Sequence, residues 1–149
     1  MCPMSWCRTN RHSMTDRTNR QLIERFYGQV WNQWDADAAR EILSPDIVFR
    51  GSLGVDVRGH DGFLGYVELI RAAFPDFHNR IEEIISEGTH AAARLTYSGT
   101  HKGMLFGTAA TGRAITYAGA AFFQFSDGKI DEIWVLGDRM ALMEQINAA

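Results

Sequence analysis

The chain has 149 residues, of which 46% are hydrophobic and 22% are charged, and its formal net charge is −3. This length is typical of one domain. The near balance of charges excludes the basic surface that binds nucleic acid, and no apolar run is long enough to cross a membrane.

The two cysteines, Cys2 and Cys7, lie in a leading segment with no apolar periodicity and no signal-peptide core. Their number and position exclude a disulfide scaffold and a structural zinc site. We interpret residues 1–13 as a disordered leader, with Met14 as an alternative start. Residues 14–149 are then one domain, and the missing signal peptide predicts a cytoplasmic location.

The first half of the domain is predicted to be helical. Thr18-Asn-Arg-Gln21 has the form of a capping box, and apolar residues from Ile23 to Trp34 follow at three- and four-residue spacing. Asp35 is predicted to cap a second helix over residues 36–43. That helix ends before Ser44-Pro45, because a residue that precedes proline avoids helical backbone angles.

The apolar period then changes from helical to strand-like. Residues 46–50 are predicted to be a strand, and a third helix follows from Phe63 to Phe74, ended by Pro75. Alternating patterns predict four further strands, over residues 77–86, 91–98, 113–125 and 129–136. Turns at 87–89 and 126–128 join them into hairpins, and a short helix starts at Arg139.

This order of elements predicts an α+β fold, in which N-terminal helices cover one face of a curved antiparallel sheet. The strand over residues 113–125 is apolar on both faces. Such a strand needs a cover on each side. Helices supply one cover, and a second copy of the protein is the simplest source of the other, so we expect a homodimer.

A glycine-rich loop, GTHKGMLFGTAATGR, occupies residues 99–113. It is not a phosphate-binding loop. In such loops the last glycine is followed by a Lys and then a Ser or Thr, which bind phosphate and magnesium, and both residues are missing here. The loop connects two long strands at one end of the sheet. Met104, Leu105 and Phe106 are therefore predicted to fold over that end as a rim.

The motifs GTHKGMLFG, TGR, DGKI and WVLGDRMALMEQI, in this order, resemble the SnoaL-like polyketide (ester) cyclases from residue 21 to residue 146. The resemblance implies a cone-shaped α+β barrel of the nuclear-transport-factor-two-like superfamily, with a central pocket and no cofactor. Family cyclases close a ring by aldol condensation, with an aspartate on the last strand as general acid and base. The matching position here is Val135, three residues before Asp138.

Strand alternation predicts the character of the pocket independently of the family resemblance. Tyr117, Gly119 and Ala121 share one face of their strand, and Val135 lies on the matching face of the next strand. Small and apolar side chains on this face predict a roomy, apolar cavity. Such a cavity would accept a flat or polycyclic hydrophobic molecule.

His101 and Asp138 are the candidate proton-handling residues. The ordinary pKa of histidine suits proton transfer at neutral pH, and His101 lies in the glycine-rich loop beside the expected pocket. The alternative is a rim histidine that binds loop carbonyls. Asp138 precedes the last helix, so it is predicted to cap that helix, to act in the pocket, or to do both.

The aromatic candidates for contact with a ligand are Tyr27, Trp31 and Tyr66 on helices, and Tyr97 and Tyr117 on strands. Trp31 and Tyr66 match positions that line the pocket in the family, and Tyr27, one turn before Trp31, is placed to present its hydroxyl inward. The alternative for each is an ordinary core aromatic.

A second arrangement is an aspartate–arginine site like that of limonene-type epoxide hydrolases, built from Arg50 or Arg94 with an acid such as Asp56. No histidine spacing predicts a metal site. Three functions stay open: a cofactor-independent enzyme that uses His101 and Asp138 on a small carbonyl compound or epoxide, a non-catalytic binding protein, and a structural interaction domain.

Overall fold

A computed structural model describes residues 14–148 as four α-helices and a π-helix on one face of a curved six-stranded sheet, which confirms the α+β prediction. The helices are α1 (Met14–Arg25), the π-helix (Phe26–Trp31), α2 (Ala36–Ile42), α3 (Gly59–Ala73) and α4 (Arg139–Asn147). The strands are β1 (Leu43–Arg50), β2 (Asp56–Arg58), β3 (His78–Glu87), β4 (His90–Thr100), β5 (Ala114–Ser126) and β6 (Lys129–Gly137). The predicted leader lies outside the described residues.

The predicted helices are present, with one error at the start. The chain is already helical at Met14, so Thr18 lies inside α1 and the capping-box prediction is wrong. A capping box needs free amides at a helix start, and Thr18 lies past that point. The predicted cap of α2 is confirmed, because the Asp35 carboxylate accepts a hydrogen bond of 3.0 Å from the Ala38 amide.

The sheet has the strand order β2-β1-β6-β5-β4-β3 and is open. All neighbouring strands are antiparallel except β1 and β6, which run parallel. Strand β1 starts at Leu43, earlier than predicted, and includes Pro45. The pairing of β1 with β6 shifts register between Leu43 and Val48, as expected where a proline offers no amide to the ladder. Strand β2 was not predicted.

A tight turn joins β5 to β6, and a bulge close to it sets the register of the inner face. Asp127 and Gly128 both have positive φ, 52° and 77°, which is the backbone of a two-residue type I′ turn. The register shifts between Gln124 and Phe125, and beyond this shift Ala121 is opposite Val135 and Gly119 is opposite Gly137. The inner face of both strands is buried, as their alternation predicts.

The outer face of the same two strands is apolar and exposed. Phe122 and Leu136 each expose 54% of their surface and Trp134 exposes 40%. Within residues 14–148, no helix combines the length and the apolar character that a membrane crossing requires.

Candidate functional site

The candidate site is a cavity between the helices and the inner face of the sheet. Its volume is about 20 Å³, which is room for one water molecule. The lining residues come from the π-helix (Phe26, Tyr27 and Trp31), from β1 and the loop after it (Phe49 and Ser52), from α3 (Tyr66 and Ile70), and from the sheet and its approach (Phe77, Asn79, Tyr97 and Val135). The cavity is apolar, as predicted.

The expectation of a roomy cavity is wrong, because tyrosine rings occupy the space that glycines leave. The ring of Tyr97 lies over Gly119, so closely that a side chain at Gly119 would collide with it. Tyr66 fills the corresponding space at Gly51. Tyr97 is directly opposite Tyr117 in the ladder, so its ring reaches Gly119 along the diagonal between neighbouring strands.

All four tyrosines of the chain meet at this cavity. Tyr27, Tyr66 and Tyr97 line it, and the ring of Tyr117 is 4.9 Å from that of Tyr97. The Tyr117 hydroxyl shares a hydrogen bond of 2.9 Å with the Ser52 hydroxyl. The cavity therefore contains a group of phenol hydroxyls in apolar surroundings.

Two of these hydroxyls make no hydrogen bond of normal geometry. The Tyr27 and Tyr66 oxygens are both buried. The Ser52 hydroxyl and the Leu53 backbone lie close enough to Tyr66 to lower its pKa, but the Ser52 hydroxyl makes its hydrogen bond with Tyr117. A buried hydroxyl without a partner costs about 1–3 kcal/mol. Such groups are expected where a ligand or a water molecule completes the hydrogen bond.

Burial keeps these phenols protonated. Desolvation raises the pKa of Tyr66 to about 12, against a partial lowering by Ser52, Leu53 and Arg50. Burial also raises the pKa values of Tyr27, Tyr97 and Tyr117. The other three hydroxyls further oppose the ionisation of Tyr97, so all four lie within interaction distance. At neutral pH each is a hydrogen-bond donor.

The π-helix places three aromatic residues on the cavity wall. The Asn32 amide donates to the Tyr27 carbonyl, five residues back, at 2.9 Å. This i to i+5 bonding brings residues five apart, such as Phe26 and Trp31, onto nearly the same face, and their ring centroids are 6.4 Å apart. Short π-helical segments are frequent at functional sites.

Two asparagines join the π-helix to β3 beside the cavity. Asn32, after the π-helix, accepts from the Asn79 amide at 2.8 Å and donates to the Asn79 carbonyl at 3.0 Å. This pair ties the π-helix to β3 and holds buried Asn79 in the lining.

The predicted ligand-binding residues fall into two groups. Trp31, Tyr27, Tyr66 and Val135 line the cavity. The other members of the inner sheet face, Tyr117, Gly119 and Ala121, are buried but are not part of the lining.

Two of the three predicted rim residues are exposed and the third is buried. Met104 exposes 65% of its surface and Phe106 exposes 43%, whereas Leu105 between them is buried. The guanidinium of Arg139 lies 4.0 Å from the centre of the Phe106 ring. Leu105 is therefore the residue of these three that packs against the body of the protein.

The two predicted proton-handling residues are not in the lining. His101 is fully buried, with Nδ1 3.0 Å from the Thr111 hydroxyl and Nε2 unpaired. Asp138 is exposed and accepts from the Ala141 amide at 3.1 Å, which confirms its capping role. Their roles in proton transfer stay predictions.

The aspartate–arginine arrangement is not formed. Arg50 donates to the Val135 carbonyl and lies 4.9 Å from the Trp134 ring centre, although Asp56 is opposite it in the ladder. Arg94 pairs with Glu83 at 3.6 Å. Within residues 14–148, no group of three His, Cys, Asp or Glu side chains is placed to hold a metal ion.

Several lining residues were not singled out from the sequence: Phe26, Phe49, Ser52, Ile70, Phe77 and Asn79. The apolar members follow the helical and strand periodicity, so the pattern places them in the core without marking a site. Ser52 and Asn79 carry no local signal, because their positions depend on partners more than 40 residues away.

Comparison with known proteins identifies the family. Residues 21–146 match the family described as SnoaL-like polyketide cyclase. The chain belongs to the SnoaL-like polyketide cyclase family. No curated protein matches the sequence.

Solved structures confirm the nuclear-transport-factor-two-like fold of this SnoaL-like protein. A proposed SnoaL-like polyketide cyclase from Jannaschia sp. CCS1 superposes with a TM-score of 0.86 at 20% identity, over 94% of this chain and 99% of that chain. IdmH, a proposed polyketide cyclase from Streptomyces antibioticus, gives 0.75 at 27% identity, over 87% and 98%. AclR, a proposed hydroxylase from Streptomyces galilaeus, gives 0.76 at 28% identity, over 92% and 84%.

Proposed function

We propose that this SnoaL-like protein binds a small, flat, hydrophobic carbonyl compound of the polyketide type in the tyrosine-lined cavity and promotes its cyclisation without a cofactor. The observation that carries this proposal is the pair of buried, unpaired hydroxyls of Tyr27 and Tyr66 in an otherwise apolar cavity. Family membership supports the reaction class.

The chemistry follows from the hydrogen-bond donors. When a carbon between two carbonyl groups loses a proton, negative charge moves to a carbonyl oxygen. Donors fixed in an apolar site stabilise such an oxyanion strongly, because they need no rearrangement as the charge develops. Phenols that stay protonated, as burial ensures here, serve this purpose.

Among the described residues, no carboxylate or imidazole lines the cavity. The proposed step therefore places the carbon-bound proton on water and the negative charge on the tyrosine-bound oxygen. The enolate carbon then attacks a second carbonyl carbon of the same molecule. The new alkoxide takes a proton from water, which closes the ring with no net change in protons.

The test uses 2-acetyl-1-tetralone, a flat 1,3-dicarbonyl probe. Proton NMR in deuterated water measures exchange at the carbon between the carbonyls, and tryptophan fluorescence measures binding near Trp31. We expect the protein to bind the probe more tightly than tetralin, the related ring without oxygen, and to accelerate the exchange. Tyr27→Phe and Tyr66→Phe should each lower the acceleration about tenfold or more.

His101→Ala in the same assay tests the predicted proton-handling role of His101. Equal affinity for the probe and for tetralin, unchanged in both tyrosine variants, would contradict the proposed function. Tight, tyrosine-dependent binding without accelerated exchange would instead identify a non-catalytic binding protein.

We also propose that the exposed face of β5 and β6 is the interface of a homodimer. Phe122 is opposite Trp134 in the ladder, with ring centroids 6.0 Å apart, and Leu136 extends the same apolar surface. A contiguous apolar patch of this kind is typical of a protein–protein interface. A second copy presents a matching face under twofold symmetry.

A further inference from the structure

A ligand larger than one water molecule does not fit the cavity at its volume of about 20 Å³, so residues around the cavity must move to admit one. The segment from Gly51 to Val55, between β1 and β2, covers part of the cavity, because Ser52 lines the cavity and Leu53 is buried. Its backbone forms a compact turn in which the Gly51 amide bonds to the Val55 carbonyl and the Gly54 amide bonds to the Gly51 carbonyl, each at 3.0 Å.

This segment packs closely against its neighbours at glycine positions. Tyr66 fills the space beside Gly51, and a side chain at Gly137 would collide with the Ser52 backbone, 2.7 Å away. Gly54 has a φ of 85°, which favours glycine. The segment therefore rests on the body of the protein through buried Leu53, the Tyr66 ring and the Ser52–Tyr117 hydrogen bond.

Arg139 ties the segment to two other parts of the molecule. Its guanidinium donates to the Leu53 carbonyl at 3.3 Å and lies over the Phe106 ring at 4.0 Å. Phe106 has a φ of 46°, a strained backbone for a bulky residue. One exposed side chain thus holds together two loops, one of which stores strain.

The helix that carries Arg139 is a firm support. Near its far end, Gln145 donates to the Thr116 carbonyl at 2.7 Å and accepts from the Thr116 amide at 2.8 Å. Arg113 donates to the Ile146 carbonyl at 2.8 Å. Arg139 is therefore fixed relative to β5, and opening would move the Gly51–Val55 segment.

Another part of the cavity lining, at Asn79, is held by several hydrogen bonds. Two join the Asn32 side chain to the Asn79 backbone, and a third, of 3.3 Å, joins the two side chains. A second arginine, Arg71, lies over the Trp34 ring at 5.2 Å, and Trp34 contacts the lining residue Trp31. Arg71 provides a matched control for Arg139.

We propose that residues 51–55 form a lid over the cavity and that Arg139 is the latch that holds it closed. The inference rests on the proposed function in that it concerns access to the same cavity. Its test needs no carbonyl ligand, so its failure is distinguishable from failure of the proposed function.

The experiment follows reaction of a cysteine placed in the cavity lining. In a chain with Cys2→Ser, Cys7→Ser and Val135→Cys, the thiol is labelled with 4,4′-dithiodipyridine, and the rate through global unfolding is subtracted. Loss of a cation–π contact and a charged hydrogen bond should raise the opening equilibrium, so Arg139→Ala is expected to label about tenfold faster. Arg71→Ala should label within about twofold of the parent.

An unchanged labelling rate in Arg139→Ala, or an equal acceleration in Arg71→Ala, would overturn the proposal. If the cysteine variant does not fold, hydrogen exchange in the otherwise natural chain decides the question. Amides of residues 51–55 should then exchange about tenfold faster in Arg139→Ala, and unchanged exchange there would contradict the latch.

Discussion

Replacing Tyr27 by phenylalanine removes one oxygen atom from the cavity and should make the protein more stable. The Tyr27 side chain is 3% exposed and its hydroxyl has no partner. Loss of the unpaired group recovers a desolvation cost of about 1–3 kcal/mol. The vacated space, on the order of 10 Å³, costs roughly 0.2 kcal/mol at about 24 cal/mol per Å³. The expected net gain is therefore still about 1–3 kcal/mol.

Tyr117→Phe is the matched control, because the Tyr117 hydroxyl already has a partner in Ser52 at 2.9 Å. This substitution breaks that hydrogen bond and should lower the free energy of unfolding by about 1 kcal/mol. The two variants remove the same atom from the same cluster, and we expect opposite signs.

The assay is urea denaturation at neutral pH, followed by circular dichroism, with the free energy of unfolding extrapolated to water. Thermal unfolding gives a second measure, at roughly 2–4 °C for each kcal/mol. A destabilised Tyr27→Phe protein would show that the Tyr27 hydroxyl is satisfied in solution, and the argument that it awaits a ligand would fail.

Two further predictions concern the cavity, and a third concerns the exposed face of the sheet. The free energy of unfolding should fall as pH rises above about 10, because unfolded tyrosines ionise there while Tyr66 keeps its proton to about pH 12 when folded. In alkaline denaturation experiments, Tyr66→Phe should reduce the dependence of this free energy on pH by about 1.4 kcal/mol per pH unit. An unchanged dependence would show that Tyr66 is not buried. Val135→Asp puts a carboxylate in an apolar cavity, where burial raises its pKa. The free energy of unfolding should therefore be roughly 1–3 kcal/mol lower than that of the natural chain near neutral pH, and this deficit should shrink as pH falls toward about 5. A deficit that does not vary with pH would place residue 135 outside the cavity. Phe122→Lys should convert the proposed dimer to a monomer in size-exclusion chromatography with light scattering, and a monomeric parent at micromolar concentration would refute the dimer.

Strand alternation was sufficient to predict which residues face inward. The buried positions of β5 alternate along the whole strand, and those of β6 alternate from Ile133 onward, which leaves Phe122 and Trp134 on the exposed face. The turn residues predict the hairpin, but the register shift between Gln124 and Phe125 was not predicted. The alternation of apolar residues and the residue types of a turn are local properties, so they can be recognised in the sequence.

The shape of the cavity was not predictable in the same way. Gly119 was interpreted as space, but Tyr97 reaches it from the neighbouring strand, which depends on a side-chain rotamer as well as on register. The π-helix differs from an α-helix in one step of backbone hydrogen bonding. Over six residues, both helices bury almost the same apolar positions, so the sequence pattern does not separate them.

The parallel pairing of β1 with β6 also has no local signal, because the partners are about 80 residues apart in sequence. The same reason applies to Ser52. Its place in the site results from contacts with Tyr117 and Gly137, which come together only in the folded sheet.

The most direct test of the central claim is the carbon-13 NMR shift of the bound carbonyl. The probe is 2-acetyl-1-tetralone labelled at both carbonyl carbons, bound to the natural chain and to the Tyr27→Phe/Tyr66→Phe double variant. Hydrogen bonds from two phenols withdraw electrons from the carbonyl carbon, so its signal should move downfield from its position in an apolar solvent and return toward that position in the double variant. A signal at the apolar-solvent position in the natural chain, or one that is unchanged by the double substitution, would contradict the account.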